Sequence, residues 1–440
     1  MKSLLTPLMC VLLAAPAFAQ EKPDTDQRPN PQSSTDQRIA DLERRLDAMS
    51  RELETQKAGA TMPVATEEGR FGLAPSASKV YAVASGLSIG GYGEFLYQSL
   101  DSKLQDGTKA PRENSLDALR LVIYTGYKFN EHIVFNSEVE FEHGGYSDES
   151  TGGEAKVEFA YLDFLISKAL NVRAGMMLLP VGFINELHEP PAFLGSQRPL
   201  VERRIIPSTW HENGVGLHGE LAGNLSYRLY LVNGMDANPD PGNGHEGFTG
   251  QSIKGGRQFG KEAKANSLAW TGRLDWAPIP GTTLGFSFYR GNSNPEDGAE
   301  PLITSLWDVH AEYRAGGLQL RGLFSRVTNS EAGVAALPAA GEGFQTGTRQ
   351  FGGYLEAGYD VLRGSGRQAL IPFVRFERLN SQQRVVPGVT PDLANDVTVK
   401  TVGVSYKPIP NVAVKADWNQ IENRAETGRD QFNVGLGFYF

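Results

Sequence analysis

From residue 87 to Phe440 the chain alternates apolar and polar residues in segments of about ten residues, separated by glycine, asparagine, proline and aspartate. This alternation is typical of β-strands that have one apolar face and one polar face. With about 22 residues per strand and connection, the segments suit strands that cross a membrane. Sixteen such segments begin near Leu87, Leu116, His132, Lys156, Leu170, Gly214, Leu225, Leu268, Thr283, Ser305, Leu318, Phe351, Gln368, Val397, Val412 and Asp430.

The connections between these segments alternate between short and long without exception. The short ones are tight turns such as Phe129-Asn130-Glu131 and Gly316-Gly317. The long ones span 100–115, 143–154, 179–213, 234–266, 291–304, 328–349 and 380–396. An up-and-down barrel with short turns at one rim and long loops at the other has this rhythm. We therefore predict an all-β fold, a 16-stranded antiparallel transmembrane β-barrel over residues 87–440.

The alternation also predicts which face of the barrel meets lipid. In the last strand, Phe432 and Val434 share one face, and Gln431 and Asn433 lie on the other. The polar faces of the strands carry too many charges to fill a dry interior. We therefore expect the apolar face to meet lipid and the polar face to line a wet lumen.

Four segments of different composition precede the barrel. Residues 1–19 are predicted to be a signal peptide, because a positive start and an apolar stretch lead to a small-x-small cleavage site. Residues 20–36 are polar and proline-rich, which predicts a disordered linker. A short α-helical coiled coil is predicted over 37–57, and a second linker covers 58–86, whose apolar Phe71, Leu73 and Tyr81 are expected to dock on or in the barrel.

The coiled-coil prediction depends on a narrow apolar stripe at alternating spacings of three and four residues. One amphipathic helix that lies on another surface is the alternative, and the stripe does not decide between a dimer and a trimer. The stripe consists of Ile39, Leu42, Leu46, Met49 and Leu53.

Charge and cysteine content exclude several kinds of chemistry. The formal net charge of −9 argues against nucleic acid as a partner. Cys10 is the only cysteine and lies in the predicted signal peptide, so disulfides and thiolate chemistry are excluded and zinc would need histidine and carboxylates. We predict no cofactor, no metal site and no catalytic residue.

Several segments resemble a known class of protein. Phe440, at the end of an alternating aromatic strand, is similar to the C-terminal signature of bacterial outer-membrane barrels that the barrel assembly machinery inserts. Four further segments resemble the phosphate-selective porin O and P family and the related dicarboxylate-type porins with an N-terminal coiled coil. They are the predicted coiled coil 37–57, Ser78-Lys79-Val80-Tyr81, residues 89–94 and residues 203–216.

The resemblance implies a homotrimeric porin in the Gram-negative outer membrane, in contact with lipid and lipopolysaccharide, with the coiled-coil arm in the periplasm. Such a barrel is a water-filled channel for passive diffusion of small hydrophilic solutes, and its third outer loop folds into the lumen. The phosphate-selective relatives have lysine-rich loops, whereas residues 179–213 contain no lysine. A preference for small anions is therefore a hypothesis that depends on arginine.

The candidate site has two parts, the third outer loop and the charged residues of the strands. A solvated external loop is the alternative for residues 179–213, and charges that only hold the wall in shape are the alternative for the strands. Arginine facing lipid would cost about 2–4 kcal/mol near the midplane, which favours the lumen. The predicted constriction consists of Glu186, Glu189, Arg198, Glu202, Arg203 and Arg204. The predicted pore-lining residues are Arg120, Arg173, Arg228, Arg273, Arg314, Arg321, Arg375, Glu94, Glu140 and Asp163.

Two other functions remain open at this point. An outer-membrane lipase or protease would need a nucleophile, a base and an acid, but the predicted strands bring no such set together. Gly86-x-Ser88-x-Gly90 opens a strand and does not join a strand to a helix, so it lacks the nucleophile geometry. A barrel that acts only as an adhesin or anchor would have a plugged lumen.

Overall fold

The computed structural model describes residues 40–47, 49, 69–144, 153–338, 345–364 and 366–440. The chain divides into two units, Met1–Thr61 and Met62–Phe440. In the first unit, residues 40–47 (α1) and 49 are helical, and Leu42, Leu46 and Met49 are exposed. The predicted signal peptide and first linker lie outside the described residues, as do the two ends of the predicted coiled coil. Its self-association stays a prediction.

In the described part of the second unit, sixteen antiparallel strands close into a barrel, because β1 pairs with β16 as well as with β2. The predicted fold class is confirmed, and each predicted strand begins within three residues of an observed one. The strands are β1 Gly86–Leu100, β2 Asn114–Lys128, β3 Ile133–Glu142, β4 Glu154–Leu165, β5 Asn171–Leu178, β6 His211–Leu221, β7 Leu225–Asn233, β8 Leu268–Trp276, β9 Thr282–Asn292, β10 Ile303–Ala315, β11 Leu318–Asn329, β12 Arg349–Tyr359, β13 Ala369–Arg384, β14 Asp396–Ile409, β15 Val412–Asn423 and β16 Gln431–Tyr439.

The helices of the second unit are short and lie in the connections. No helix among the described residues is long and apolar enough to cross a membrane. Two α-helices, α2 Val201–Arg204 and α3 Glu331–Ala336, accompany the 3₁₀ turns Lys79–Tyr81, Pro190–Ala192, Pro241–Asn243, Lys254–Gly256 and Leu393–Asn395.

The outer face of the barrel is apolar and exposed. In β16, Phe432 and Val434 are exposed, whereas Gln431 and Asn433 on the other face are buried, as the alternation predicted. Leu355, in the middle of β12, is 71% exposed. An apolar belt of this kind is stable when lipid covers it.

Turn length distinguishes the two rims along most of the chain. Gly316 and Gly317 join β10 to β11 with φ values of 60° and 87°, which is the type I′ geometry that two-residue hairpins prefer. The prediction of strict alternation is wrong near the C-terminus. The connection 360–368, on the short-turn rim, has nine residues, whereas 424–430 on the opposite rim has seven.

Two segments that are not part of the strands fold into the interior of the barrel. One is the connection 179–210, in which most residues are buried, including Val201, Ile205 and Trp210. The next long connection, 234–267, packs on it, and the Ser252 hydroxyl donates to the Arg204 carbonyl at 2.6 Å. The other inward segment is 69–85, which precedes β1.

The boundary of the third outer loop differs from the prediction. Strand β6 begins at His211 and not at Gly214, so the loop ends at residue 210. His211 and Glu212, which the sequence placed in the loop, belong to the wall and are buried.

Candidate functional site: a charged lumen

Charged side chains line the inner face of the strands and pair with one another. The inner face holds all ten charged residues that were predicted for it; nine are largely buried, and Arg314 is half exposed. These ten are Arg120, Arg173, Arg228, Arg273, Arg314, Arg321, Arg375, Glu94, Glu140 and Asp163. Their role in a pore stays a prediction.

One part of this face, which we call the acid-rich wall, carries more carboxylates than cations. Arg120 contacts three of the carboxylates, with its Nη1 3.2 Å from Glu94 and its Nε 3.2 Å from Glu140. Lys156 lies 3.0 Å from Glu142 and 3.3 Å from Glu140. The wall consists of five carboxylates and two cations on β1–β4: Glu94, Glu138, Glu140, Glu142, Glu158, Arg120 and Lys156.

A second part, the arginine-rich wall, has the opposite balance. Four arginines on β7–β11 share two carboxylates: Arg228 and Arg273 both lie 2.7 Å from Asp275, and Arg314 and Arg321 lie 2.8 and 2.6 Å from Glu312. The wall is defined as Arg228, Arg273, Arg314, Arg321, Asp275 and Glu312. Each carboxylate is therefore shared by two guanidinium groups.

The segment 69–85 lies against the inner face at the short-turn end. The Tyr81 hydroxyl donates to Asp163, which also accepts two hydrogen bonds from Arg173 at 2.8 and 2.9 Å. Asn136 on β3 donates to the Ala77 carbonyl at 2.8 Å. Leu73 and Tyr81, which were expected to dock on or in the barrel, are buried inside it, whereas Phe71 is partly buried.

The loop 179–210 contacts both this segment and the strands. Glu186 lies 3.1 Å from Arg228 of the arginine-rich wall. Glu189 accepts hydrogen bonds from the backbone amides of Ser76 and Ala77 at 2.9 and 3.1 Å. Glu202 accepts from the Ile184 amide at 2.7 Å and from the Tyr354 hydroxyl of β12 at 2.6 Å.

The three arginines of the predicted constriction do not pair with its glutamates. Among the ion pairs of the described residues, none joins Arg198, Arg203 or Arg204 to Glu186, Glu189 or Glu202. Arg198 donates to the His188 carbonyl at 3.5 Å, and Arg203 has a buried Nε without a hydrogen-bond partner. The glutamates contact the strands and segment 69–85 instead, and the role of these six residues as a constriction stays a prediction.

Burial shifts the pKa of several loop groups. It raises the pKa of Glu189 to about 8, although the amides of Ser76 and Ala77 lower it. Burial also raises the pKa values of Glu186 and Glu202, and it lowers the pKa of Arg203 to about 10. These groups are withdrawn from bulk water.

A cavity of about 1260 Å³ opens at the short-turn end, and we call it the vestibule. Its lining includes segment 69–75, Glu186 and Glu189 of the loop, and the whole arginine-rich wall. Seven arginine and lysine residues and five acidic residues line it in all. The vestibule therefore has a small excess of positive charge. The cations are Arg70, Arg228, Arg273, Arg314, Arg321, Arg367 and Lys407, and the acids are Glu186, Glu189, Glu220, Asp275 and Glu312.

The strands bring together one serine, aspartate and histidine, contrary to the sequence expectation. Ser287 donates to Asp308, and His310 has its Nδ1 2.6 Å from Asp308 and its Nε2 3.1 Å from Asp275. In a nucleophilic site the base accepts the proton of the serine hydroxyl. Here the hydroxyl proton points to a carboxylate, and both nitrogens of the imidazole face carboxylates. The arrangement is that of a buried ion-pair network.

Sequence reasoning missed several charged side chains of the lumen, among them Glu158 and His188. Glu158 was not assigned to the inner face, because a β-bulge opposite Glu138 and Val139 breaks the alternation in β4. His188 was seen only as a loop residue, yet its Nε2 lies 3.1 Å from Glu138 on β3. Among the described residues, Glu138, Glu158 and His188 form a group whose ligand atoms lie within 4.8 Å of one another. The sequence analysis predicted no metal site and did not identify this group.

No family model matches the chain. Over 376 residues the chain is 37% identical to an uncharacterised protein of Aquifex aeolicus (strain VF5), which covers 84% of this chain and 83% of the relative. The chain belongs to the family of that protein. Membership of the phosphate-selective O and P family, which the sequence resembled, is not confirmed.

Solved structures with the same fold include three porin-like barrels at low sequence identity. The chain matches Salmonella typhi OmpF in complex with daunomycin with a TM-score of 0.54 and 13% identity, covering 81% of this chain and 98% of that one. The anion-selective porin of Comamonas acidovorans gives 0.52 and 11%, with 81% and 100% covered. The outer membrane channel DcaP of Acinetobacter baumannii gives 0.51 and 9%, with 80% and 97% covered. The chain thus shares the barrel fold of those proteins.

Proposed function

We propose that the protein is an outer-membrane porin, a channel for passive diffusion of small hydrophilic solutes. The observation that carries the proposal is the division of the strands into an apolar outer face and a charged inner face that borders a vestibule of about 1260 Å³. Charged side chains are tolerated at membrane depth where they line water or pair with one another. A barrel of sixteen strands is wide enough for an aqueous lumen.

Three known proteins support the proposal by their fold. OmpF, the Comamonas porin and DcaP are barrels that share the architecture, and the latter two are described as an anion-selective porin and an outer membrane channel. By the resemblance to trimeric porins, we extend the proposal to a homotrimer in contact with lipid and lipopolysaccharide, with residues 37–57 as a coiled coil in the periplasm and Phe440 as the contact for the assembly machinery. Heat-stable trimers that survive deletion of residues 37–57 unchanged would show that the arm does not hold the assembly together.

The proposed solutes are small anions, because the vestibule carries excess positive charge. Within the vestibule lining, Arg314 and Arg321 share the single carboxylate of Glu312. Lys407, which donates to the Pro191 carbonyl at 2.8 Å, adds a cation at the base of the loop. Oriented positive charge at a narrow point favours anion permeation. Reversal potentials in a KCl gradient are expected to show chloride preference, and a clear potassium preference would contradict it.

The direct test is conductance of the purified full-length protein in planar bilayers. The channel proposal predicts stable current steps that scale with salt concentration, in groups of three if the protein is a trimer. Replacing Lys407 with glutamine is expected to shift the reversal potential towards potassium. Leu320→Gln is the matched control, since Leu320 is 40% exposed on the outer face of β11.

A second function, a plugged barrel that serves as an anchor or adhesin, is favoured by one observation. Most of loop 179–210 and of residues 73–81 is buried inside the barrel. A lumen filled in this way would pass no ions. Silent bilayers, with protein shown to be inserted and folded, would favour the anchor and would reject the channel.

A further inference from the structure

His188, Glu138 and Glu158 converge where loop 179–210 meets the acid-rich wall. His188 Nε2 lies 3.1 Å from one carboxylate oxygen of Glu138 and 3.9 Å from one of Glu158. The three side chains are at most 2% exposed. They come from the loop, β3 and β4, so anything that binds all three connects the loop to two strands.

A β-bulge aims Glu158 at this point. The pairing of β3 with β4 shifts between Glu138 and Val139, so that Glu158 and Phe159, which are neighbours in sequence, are both buried inside the barrel. Regular alternation would have turned one of them towards lipid. Bulges are frequent beside functional sites because they re-aim a side chain.

The hydrogen bond of His188 Nδ1 orients the ring so that Nε2 faces the two carboxylates. Nδ1 lies 2.8 Å from the Asn185 carbonyl, and a carbonyl oxygen can only accept, so Nδ1 carries a proton. Nε2 then faces Glu138 and Glu158 either as a second N–H or as a lone pair. A lone pair beside two carboxylates is stable only with a proton or a cation between them. This orientation, with one nitrogen on a carbonyl, is also the usual arrangement of a metal-binding histidine.

The surroundings have an excess of buried negative charge. The acid-rich wall together with Glu189 and Arg198 of the loop comprises six carboxylates and three permanent cations. Apart from a carboxyl–carboxylate contact with Glu140, neither oxygen of Glu158 has a hydrogen-bond partner within the described part of the chain, and one oxygen of Glu138 has none either. The nearest cation to Glu158 is Lys156, at 3.8 Å. Buried carboxylates without partners are strongly destabilising, so a proton or a bound cation is needed to neutralise this charge.

We propose that His188, Glu138 and Glu158 bind a first-row divalent transition-metal ion such as Zn²⁺. An imidazole with two carboxylates suits such ions, whereas Ca²⁺ and Mg²⁺ prefer oxygen ligands alone. In a tetrahedral zinc site neighbouring ligand atoms are about 3.3 Å apart. His188 Nε2 lies 3.1 and 3.9 Å from the two carboxylates, and all three ligand atoms lie within 4.8 Å of one another, so a modest adjustment would complete the site. The ion would fasten loop 179–210 to the wall and so fix the position of the constriction. The inference goes beyond the proposed channel, because metal binding does not require conduction.

The test is Zn²⁺ binding to folded full-length protein that has been treated with a chelator. Calorimetry and elemental analysis are expected to give one tightly bound Zn²⁺ per chain. His188→Gln and Glu158→Gln are each expected to weaken binding at least about 100-fold, which exceeds the ~10–100-fold effect of losing an outer-shell partner. His211→Gln is the matched control: His211 is also buried, with its Nδ1 3.0 Å from the Thr209 carbonyl, and it lies outside the proposed ligand set.

Thermal unfolding keeps the proposal testable if one variant does not fold. Zn²⁺ is expected to raise the unfolding midpoint of the native protein and of His211→Gln, and a chelator is expected to reverse the rise. Glu158→Gln is expected to show no rise. The proposal is overturned if the native protein binds no Zn²⁺, or if His188→Gln and Glu158→Gln bind it as tightly as the native protein does. A silent bilayer would contradict the channel and leave this result unaffected.

Discussion

The two walls of the lumen differ in how their charge is balanced. In the acid-rich wall two cations serve five carboxylates, and Arg120 alone contacts Glu94, Glu140 and Glu142. In the arginine-rich wall four guanidinium groups share Asp275 and Glu312. One cation therefore contacts several carboxylates in the first wall, whereas in the second wall each carboxylate contacts two arginines. We therefore expect an arginine to contribute more to stability in the acid-rich wall than in the arginine-rich wall.

The largest effect is expected when the centre of the acid-rich wall is removed. Arg120→Met leaves three carboxylates without their shared partner and is expected to lower the free energy of unfolding by about 3–5 kcal/mol. Arg314→Met is the matched control in the other wall. Glu312 keeps Arg321 at 2.6 Å and Arg314 is half exposed, so the loss is expected to be below about 1 kcal/mol.

Urea unfolding in lipid vesicles measures both variants. Equal losses for Arg120→Met and Arg314→Met would show that the two walls do not differ in the way described.

On the outer face, the cost of introducing an arginine is expected to be the same behind either wall. Leu121, in the middle of β2, is 48% exposed, and Val309, in the middle of β10, is 47% exposed. Arginine at either position is expected to lower the free energy of unfolding by about 2–4 kcal/mol, because lipid sets this cost. Ile409→Arg, at the end of β14, is the control, with an expected loss of about 0–1 kcal/mol. A clear difference between Leu121→Arg and Val309→Arg in the same unfolding assay would mean that the charge of the wall behind them matters.

A smaller, pH-dependent effect is expected from Glu202, in the loop between the walls. Burial raises its pKa above the ordinary value of 4.5, so the folded state binds this proton more tightly than the unfolded state does. The contribution of Glu202 to stability is therefore largest below pH 4.5, and it is lost as the pH rises through the pKa of Glu202 in the folded state. Glu202→Gln is expected to make the stability depend less on pH over this range, because glutamine does not titrate. Unfolding curves measured across that pH range check it, and an unchanged pH dependence in the variant would refute it.

The strands and the direction of most of their side chains could be predicted from the sequence, because both follow from a period of two. The starts of all sixteen strands, to within three residues, and the inward direction of Arg173 and Arg375 follow from alternation and the turn residues that interrupt it. Glu158 was missed because one extra residue in β4 breaks the period, and a bulge has no reliable signal in a single sequence.

The loop contacts lay beyond sequence reasoning for a different reason. The path of residues 179–210 depends on partners far away in the chain, such as Arg228 for Glu186 and the Ser76 amide for Glu189. No local pattern encodes those pairings. The composition of the loop therefore showed which charges are present and did not show which of them meet.

The central claim, that the inner face borders a water-filled pathway, is tested most directly by two neighbouring cysteines. Thr283 lines the vestibule, and Leu284 is 41% exposed on the outer face. The chain without its predicted signal peptide has no cysteine, so each variant would carry a single thiol. A charged thiol reagent added during bilayer recording is expected to reduce the current of Thr283→Cys and to leave that of Leu284→Cys unchanged. Reduction of neither current, or of both equally, would contradict the account.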